Sequence, residues 1–189
     1  MPKSTSKSQI ILGFVGELAG GKGTACKYLI KKYNAGYYRF STMLRDILNR
    51  LYIEQSRENI QTISKALRKS FGNDLFSKIL CEDVKQDTHK LIVIDGIRRF
   101  PEITHLKRLK NFKLVYVTAN IETRLKRIKK RGENSDDNKK NLDQFKRDEQ
   151  SEVERQIPKI GKTSDFIIDN NGSQRELYGQ LDNIIKKIQ

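Results

Sequence analysis

Nine residues near the amino terminus, Gly16-Glu17-Leu18-Ala19-Gly20-Gly21-Lys22-Gly23-Thr24, restrict the folds open to this chain more than any other feature. They follow a short apolar run, Ile10 to Val15, of the length of a buried parallel strand, and they lead into helical patterning from Lys22 to Tyr33. Glycines in a strand-to-helix turn let successive backbone amides face inward, and the helix adds a partial positive charge at the same point, so the segment is a cradle for phosphate. Gly16, Ala19, Gly20, Gly21, Lys22, Gly23 and Thr24 are therefore the expected nucleotide-binding positions. Lys22 is expected to reach the β and γ phosphates of ATP, and the Thr24 hydroxyl to hold Mg2+. Gly23 stands where a serine or threonine usually follows the lysine, so the hydroxyl role passes one residue on.

The remaining pattern alternates strands with helices. Asn34-Ala35-Gly36 stops the first helix before a brief strand, Tyr37 to Phe40, and Ser41-Thr42 can cap the next helix. Residues from Thr42 to Gln86 read as several helices, broken near Ser56-Arg57 and at Gly72-Asn73-Asp74. Leu91 to Asp95 is continuous in apolar residues up to its aspartate and is closed by Gly96, the strongest strand signal in the chain. Pro101 suits the first turn of a helix running to about Lys110, then Phe112 to Val117 reads as strand and Ile121 to Arg131 as helix. A polar loop, Gly132 to Asn141, precedes a polar helix over about Leu142 to Gln156. Asp165 to Asp169 supplies the last strand, Asn170-Asn171-Gly172 a turn, and Ser173 to Ile188 a closing amphipathic helix. This order predicts a three-layer α/β fold with a parallel five-stranded sheet and right-handed crossovers. A disordered tail is expected over residues 1–9 and a single domain over 10–189, with a helical insert at about 42–87 and a closing loop at about 132–141.

Composition bounds the partners. At 189 residues and 36% hydrophobic content the chain can bury one core. Met1 to Gln9 has no apolar run and no stretch elsewhere could span a bilayer, so a cytoplasmic protein without a membrane partner is expected. Cys26 and Cys81 lie far apart with no CxxC pattern and are read as buried thiols. The net charge of +15 suits a small polyanionic substrate, a nucleic acid, or simple lysine-rich drift, since lysine is spread along the whole chain.

Asp95 ends a strand expected beside the first, close to the phosphate cradle, and is the candidate for orienting magnesium-bound water. Arg98 and Arg99 follow it at once, with planar groups suited to bidentate phosphate contact. If Arg57 to Phe71 is one helix, Arg57, Gln61 and Arg68 fall within about 40° of one another, apart from the stripe of Ile60, Ile63, Leu67 and Phe71. That face could grip an anionic acceptor or simply meet solvent. Ser41 and Arg45 belong to the same region. Arg124, Arg127 and Arg131 share one side of a helix that enters the polar loop, from which Arg124 and Arg131 could neutralise a transferring phosphoryl group, with Arg147 completing the set.

These residues resemble the nucleoside monophosphate kinase family of P-loop proteins over most of the chain. Gly21-Lys22-Gly23-Thr24 is similar to the loop ending of adenylate kinase, though Leu18 and Ala19 stand where that enzyme has Pro and Gly. Phe40-Ser41-Thr42-Met43-Leu44-Arg45 resembles its Ile-Ser-Thr-Gly-Asp-Met-Leu-Arg segment with two residues absent, and Asp95-Gly96-Ile97-Arg98-Arg99 resembles Asp-Gly-Phe-Pro-Arg, which carries the acceptor-phosphate arginine onto Arg99. Ile94 to Arg98, Arg131-Gly132-Glu133 with Asp136-Asp137, and Phe145 to Glu149 are closer to archaeal adenylate-kinase-related and dephospho-coenzyme-A-kinase-like proteins. In that group the segment matching Asp165 to Ser173 packs the adenine ring, which implies a base site at Asn171 and Gly172. Ser56 to Gln61 with Leu67-Arg68 is similar to deoxynucleoside monophosphate kinases.

The resemblance implies an ATP- and magnesium-dependent nucleotide kinase acting on a small phosphorylated acceptor. A monophosphate is already largely ionised at neutral pH, with a second pKa of about 6, and needs no base. A sugar hydroxyl, as in dephospho-coenzyme A, gains from a carboxylate directly after the second strand, where this chain has Arg39 to Thr42. Asp46 keeps that alternative open under another register. A reading of another class is a P-loop ATPase associated with nucleic acid.

Overall fold

A computed structural model describes residues 9–131, 141–150 and 152–189, with the side chains of Arg57, Arg131 and Asp148 outside that description. The expected tail therefore lies outside the described residues except for Gln9, as does the expected closing loop except for Asn141. Gln9 donates to the carbonyls of Asp87 and His89 at 2.8 and 3.0 Å, fixing the entry to the sheet.

Five parallel strands form the sheet: β1 (Ile10–Val15), β2 (Gly36–Arg39), β3 (Leu91–Ile97), β4 (Phe112–Thr118) and β5 (Phe166–Asp169), in the order β2-β3-β1-β4-β5. β1 lies in the middle because five of its six residues are buried and it pairs on both edges, Leu12 with Val93 and with Lys113. All five strands point the same way, so their carboxyl ends, and the loops leaving them, gather at one edge.

Helices cover both faces. On one, α1 (Lys22–Tyr33) and α8 (Gln174–Ile188) pack Leu29, Leu177, Leu181 and Ile185 against Leu12, Phe14 and Val93. On the other, α2 (Phe40–Arg50), α3 (Arg57–Phe71), α4 (Leu75–Gln86) and α7 (Ile157–Gly161) meet Ile11, Ile92 and Ile94. α5 (Ile121–Arg131) and α6 (Leu142–Glu149) flank the same carboxyl edge. The observed sheet and layers are those that the alternation of strand and helix signals predicts.

Local differences have local causes. Phe40 begins α2 and does not end β2: its ring is buried, and the chain turns at Arg39 (φ −140°, ψ 132°). The helix expected from Pro101 is two short 3-10 turns, Phe100–Ile103 and Leu106–Arg108. Ile103 and Leu106 bury at a spacing of three, which suits the tighter coil, and the Ser77 hydroxyl accepts the His105 amide at 3.0 Å. The polar helix after residue 141 stops at Glu149. A 3-10 turn, Glu154–Gln156, then hands over to α7, where Pro158 opens the helix and Ile157 and Ile160 bury in the core. No helix among the described residues is long and apolar enough to cross a membrane.

Candidate active site

The loop between β1 and α1 is a tight turn. The Gly20 amide donates to the Glu17 carbonyl at 3.0 Å, and Ala19 and Gly21 both take left-handed backbone angles, φ 58° and 106°. That alternation turns peptide amides inward, and only glycine takes the second position without strain. A side chain at Gly21 would also collide with the Asn170 amide, which donates to the Gly20 carbonyl at 2.8 Å.

Lys22 opens α1 with its ammonium folded back onto the carbonyls of Gly16 and Glu17, the latter at 3.0 Å. Burial pushes its pKa down from 10.5 to about 8 and Arg98 adds to the fall, while Asp95, Glu154 and Glu17 oppose it. Three carboxylates and a guanidinium therefore converge on this one cation. Thr24 stands in the first turn of α1, and its hydroxyl has no hydrogen-bond partner among the described residues. Around Gly23 there is open space where a larger residue would otherwise sit.

Asp95 lies within β3, opposite Arg39, is 8% exposed, and accepts from the Tyr37 hydroxyl at 3.1 Å. Its charge reaches both Lys22 and Cys26, so it faces the first turn of α1; burial, then Asp95, raises the Cys26 thiol pKa, leaving that thiol inert. Among the described residues no cluster of three or more His, Cys, Asp or Glu could hold a metal alone. A hydroxyl and one carboxylate are nonetheless a hard-oxygen set of the kind Mg2+ accepts when phosphates and water complete its shell.

Beyond β3 the chain is held by Glu102, which is 5% exposed and accepts from the amides of Arg98 and Arg99 at 2.8 and 3.1 Å. Arg98 reaches Glu154 at 3.1 Å, while the Arg99 guanidinium has no hydrogen-bond or ion-pair partner among the described residues. Ser41, in the first turn of α2, keeps its hydroxyl oxygen buried and unpartnered. Arg45 donates to Gln55 at 3.0 Å. Arg68 turns to Glu102 at 2.9 Å and lies over the Phe76 ring, so its charge is already matched. Gln61 and Arg147 are exposed, and the side chains of Arg57 and Arg131 lie outside the described residues.

On the other flank Arg124, 7% exposed, donates to the carbonyls of Ala119 at 2.9 Å and of Leu18 in the cradle at 3.4 Å, and pairs with Glu149. Arg127 donates to the Asn170 carbonyl at 2.8 Å and keeps its other terminal nitrogen buried without a partner, beside Gly21. The residue gripping the cradle from β5 is thus Asn170; Asn171 instead accepts the Asn120 amide at 2.7 Å, and Gly172 precedes the Ser173 cap of α8.

Sequence reasoning passed over Glu17, Tyr37, Arg39, Glu102, Glu154 and Asn170. Glu17 accepts from Tyr116, whose hydroxyl pKa burial and that bond push up to about 12, and its second oxygen is buried and unpartnered. Asn170 could have been found from strand alternation: exposed Asp169 is followed by a residue turned inward.

A family model described as an AAA domain matches residues 18–146. Among curated relatives, the UPF0200 protein of Methanocaldococcus jannaschii is 27% identical over 190 residues, covering 95% of this chain and 90% of its own. Among solved structures, the protein TT1252 of Thermus thermophilus superposes with a TM-score of 0.61 at 16% identity, covering 97% of this chain and 100% of that one. Shikimate kinase of Acinetobacter baumannii, solved with shikimate, does so with a TM-score of 0.58 at 15% identity, covering 98% of each. These likenesses show that the chain shares its three-layer α/β fold with those proteins.

Proposed function

Because the chain belongs to the AAA-domain family matched by residues 18–146, we propose that it is a phosphotransferase that moves the γ-phosphate of ATP, with magnesium, onto a small phosphorylated acceptor, a nucleoside or deoxynucleoside monophosphate. The observation supporting this reading is what leaves the carboxyl ends of three adjacent strands: the turn with Lys22 after β1, Arg99 after β3 with its guanidinium unpartnered among the described residues, and Ser41 after β2 with its hydroxyl unpartnered. A phosphate acceptor would give the Arg99 guanidinium its partner.

The end of β2 supports a phosphate acceptor over a hydroxyl one. Arg39 stands there, opposite Asp95, and a cation cannot take a proton from a hydroxyl. An oxygen of the acceptor phosphate would attack the γ-phosphorus in line; the bond to the β,γ-bridging oxygen breaks, ADP leaves with the electron pair, and no proton is moved. Thr24 and Asp95 would hold the magnesium, which supplies neutralisation of the β and γ oxygens. Lys22 and the loop amides orient the donor, Arg99 and Ser41 the acceptor, and Arg124 faces the donor from α5.

A coupled assay with ATP, magnesium and a panel of ribo- and deoxyribonucleoside monophosphates tests this, with dephospho-coenzyme A and shikimate as hydroxyl-bearing acceptors. Turnover with at least one monophosphate and none with the hydroxyl acceptors is expected. Transfer only to a hydroxyl, or ATP binding with transfer to none, would overturn the reading.

A further inference from the structure

A basic groove lies outside the phosphate cradle. α4 runs into β3 at its amino end, and the Leu106–Arg108 turn runs into β4 at its amino end, whereas the phosphate cradle lies at the carboxyl ends of the strands. Between α4 and that turn is a groove of about 280 Å³. Lys78, Glu82 and Lys85 enter it from α4 at spacings of four and three, hence from one side of the helix. Arg108 and His105 face them, and Cys81 and Leu109 complete its lining.

Three cations thus meet one carboxylate. Lys85 pairs with Glu82 at 2.6 Å and Lys78 with Asp74 at 3.3 Å, but all four side chains are substantially solvated, and such pairs are weak enough for a phosphate to replace them. Arg108 is exposed and its guanidinium has no partner among the described residues. Lys107 and Lys110, both exposed, flank it in the chain, and the whole protein carries a net charge of +15.

We propose that this groove binds the phosphodiester backbone of a single-stranded polynucleotide, without reading its sequence. The lining favours a phosphate chain over a free nucleotide: its one ring, His105, is held by Asp74 at 2.7 Å, and the remaining donors are exposed ammonium groups with a single guanidinium. Such a set meets phosphates that come one after another along a chain, where release of counterions drives binding. The inference does not rest on the kinase reading, since none of these residues belongs to the crevice.

Fluorescence anisotropy with a labelled oligouridylate, titrated over a range of salt concentrations, tests it on the full chain. Wild type is expected to bind with an affinity that falls steeply as salt rises. Lys85→Ala with Arg108→Ala should weaken binding roughly tenfold at low salt and flatten the salt slope by about 1.4, the share of two phosphate contacts to a single strand. Both side chains are exposed, so the unfolding midpoint should not move. Lys186→Ala with Lys187→Ala on α8 makes the same charge change elsewhere and should leave affinity and slope near wild type. The proposal fails if the α8 pair costs as much as the groove pair, if the groove pair changes nothing, or if wild type shows no salt-dependent binding. Phosphotransfer by the groove variant should remain at the wild-type rate, which separates this result from the kinase assay.

Discussion

Arg68 donates to Glu102 at 2.9 Å in a pair that is 12% and 6% exposed, and the other oxygen of that carboxylate holds the amides of Arg98 and Arg99. One buried carboxylate therefore ties α3 to the loop leaving β3, and the position of the Arg99 side chain depends on a residue three further on. Arg68→Ala would leave Glu102 charged and buried without its cation. We expect a loss of about 3–5 kcal/mol, read by urea unfolding. A loss below about 1 kcal/mol, the range of a solvated pair, would show that water replaces the guanidinium.

Ser41 separates stability from function in the opposite way. Its hydroxyl oxygen is buried and has no hydrogen-bond partner, so Ser41→Ala removes an unsatisfied group and breaks nothing. The variant should be as stable as wild type or more so, by up to about 1 kcal/mol, while the KM for the acceptor rises roughly tenfold with the KM for ATP unchanged. A variant less stable, with acceptor KM unmoved, would place the hydroxyl in the packing of α2 alone.

Lys22 gives the site a pH dependence whose sign is fixed by the direction of its shift. With a pKa of about 8 against 10.5 in the unfolded chain, the unfolded state holds the extra proton between those values. Stability therefore rises with pH through that window. ATP restores the charged form, so its affinity should be flat below about pH 8 and fall above it as a proton must be taken up on binding. Isothermal titration in buffers of different ionisation enthalpy would detect that uptake; proton-neutral binding at pH 9 would contradict it. Lys22→Met should lose turnover nearly completely yet unfold at a higher temperature than wild type at pH 7, with the gap closing by pH 10.

The parts of this architecture that were legible are those where one local signal decides the outcome. Leu91 to Asp95 reads as a buried strand and Gly20-Gly21-Lys22 as the tight turn between a strand and a helix, and the structure has both there. Ser56 and Ser173 cap their helices by accepting the amides of Asn59 and Glu176, and both serines sit at boundaries that composition alone suggests. What stayed hidden depends on distant partners. Helical spacing places Arg57, Gln61 and Arg68 on one face, but nothing in α3 foretells that Glu102, 34 residues on, would claim Arg68. Glu154 lies far along the chain from Arg98 and Lys22, and its place beside them follows only from α7 burying Ile157 and Ile160.

Arg124 joins the phosphate loop to α6: it donates to the Leu18 carbonyl, pairs with Glu149 and lies over the ring of Phe145, whose side chain is fully buried. A guanidinium so placed has a carboxylate where the nucleotide's phosphates would otherwise claim it, so ATP and Glu149 should compete for it. In Glu149→Gln the charge competition is gone while the hydrogen-bond geometry can remain. ATP affinity should increase several-fold, and amide exchange over Leu142–Glu149 in the nucleotide-free protein should speed up, since α6 then loses its ion pair with Arg124. Saturating ATP should raise that exchange in wild type towards the level of the variant, because the phosphates then claim Arg124 from Glu149. Unchanged exchange together with unchanged affinity would mean that Arg124 holds α6 by packing on Phe145 alone, and that its charge is not shared with the donor.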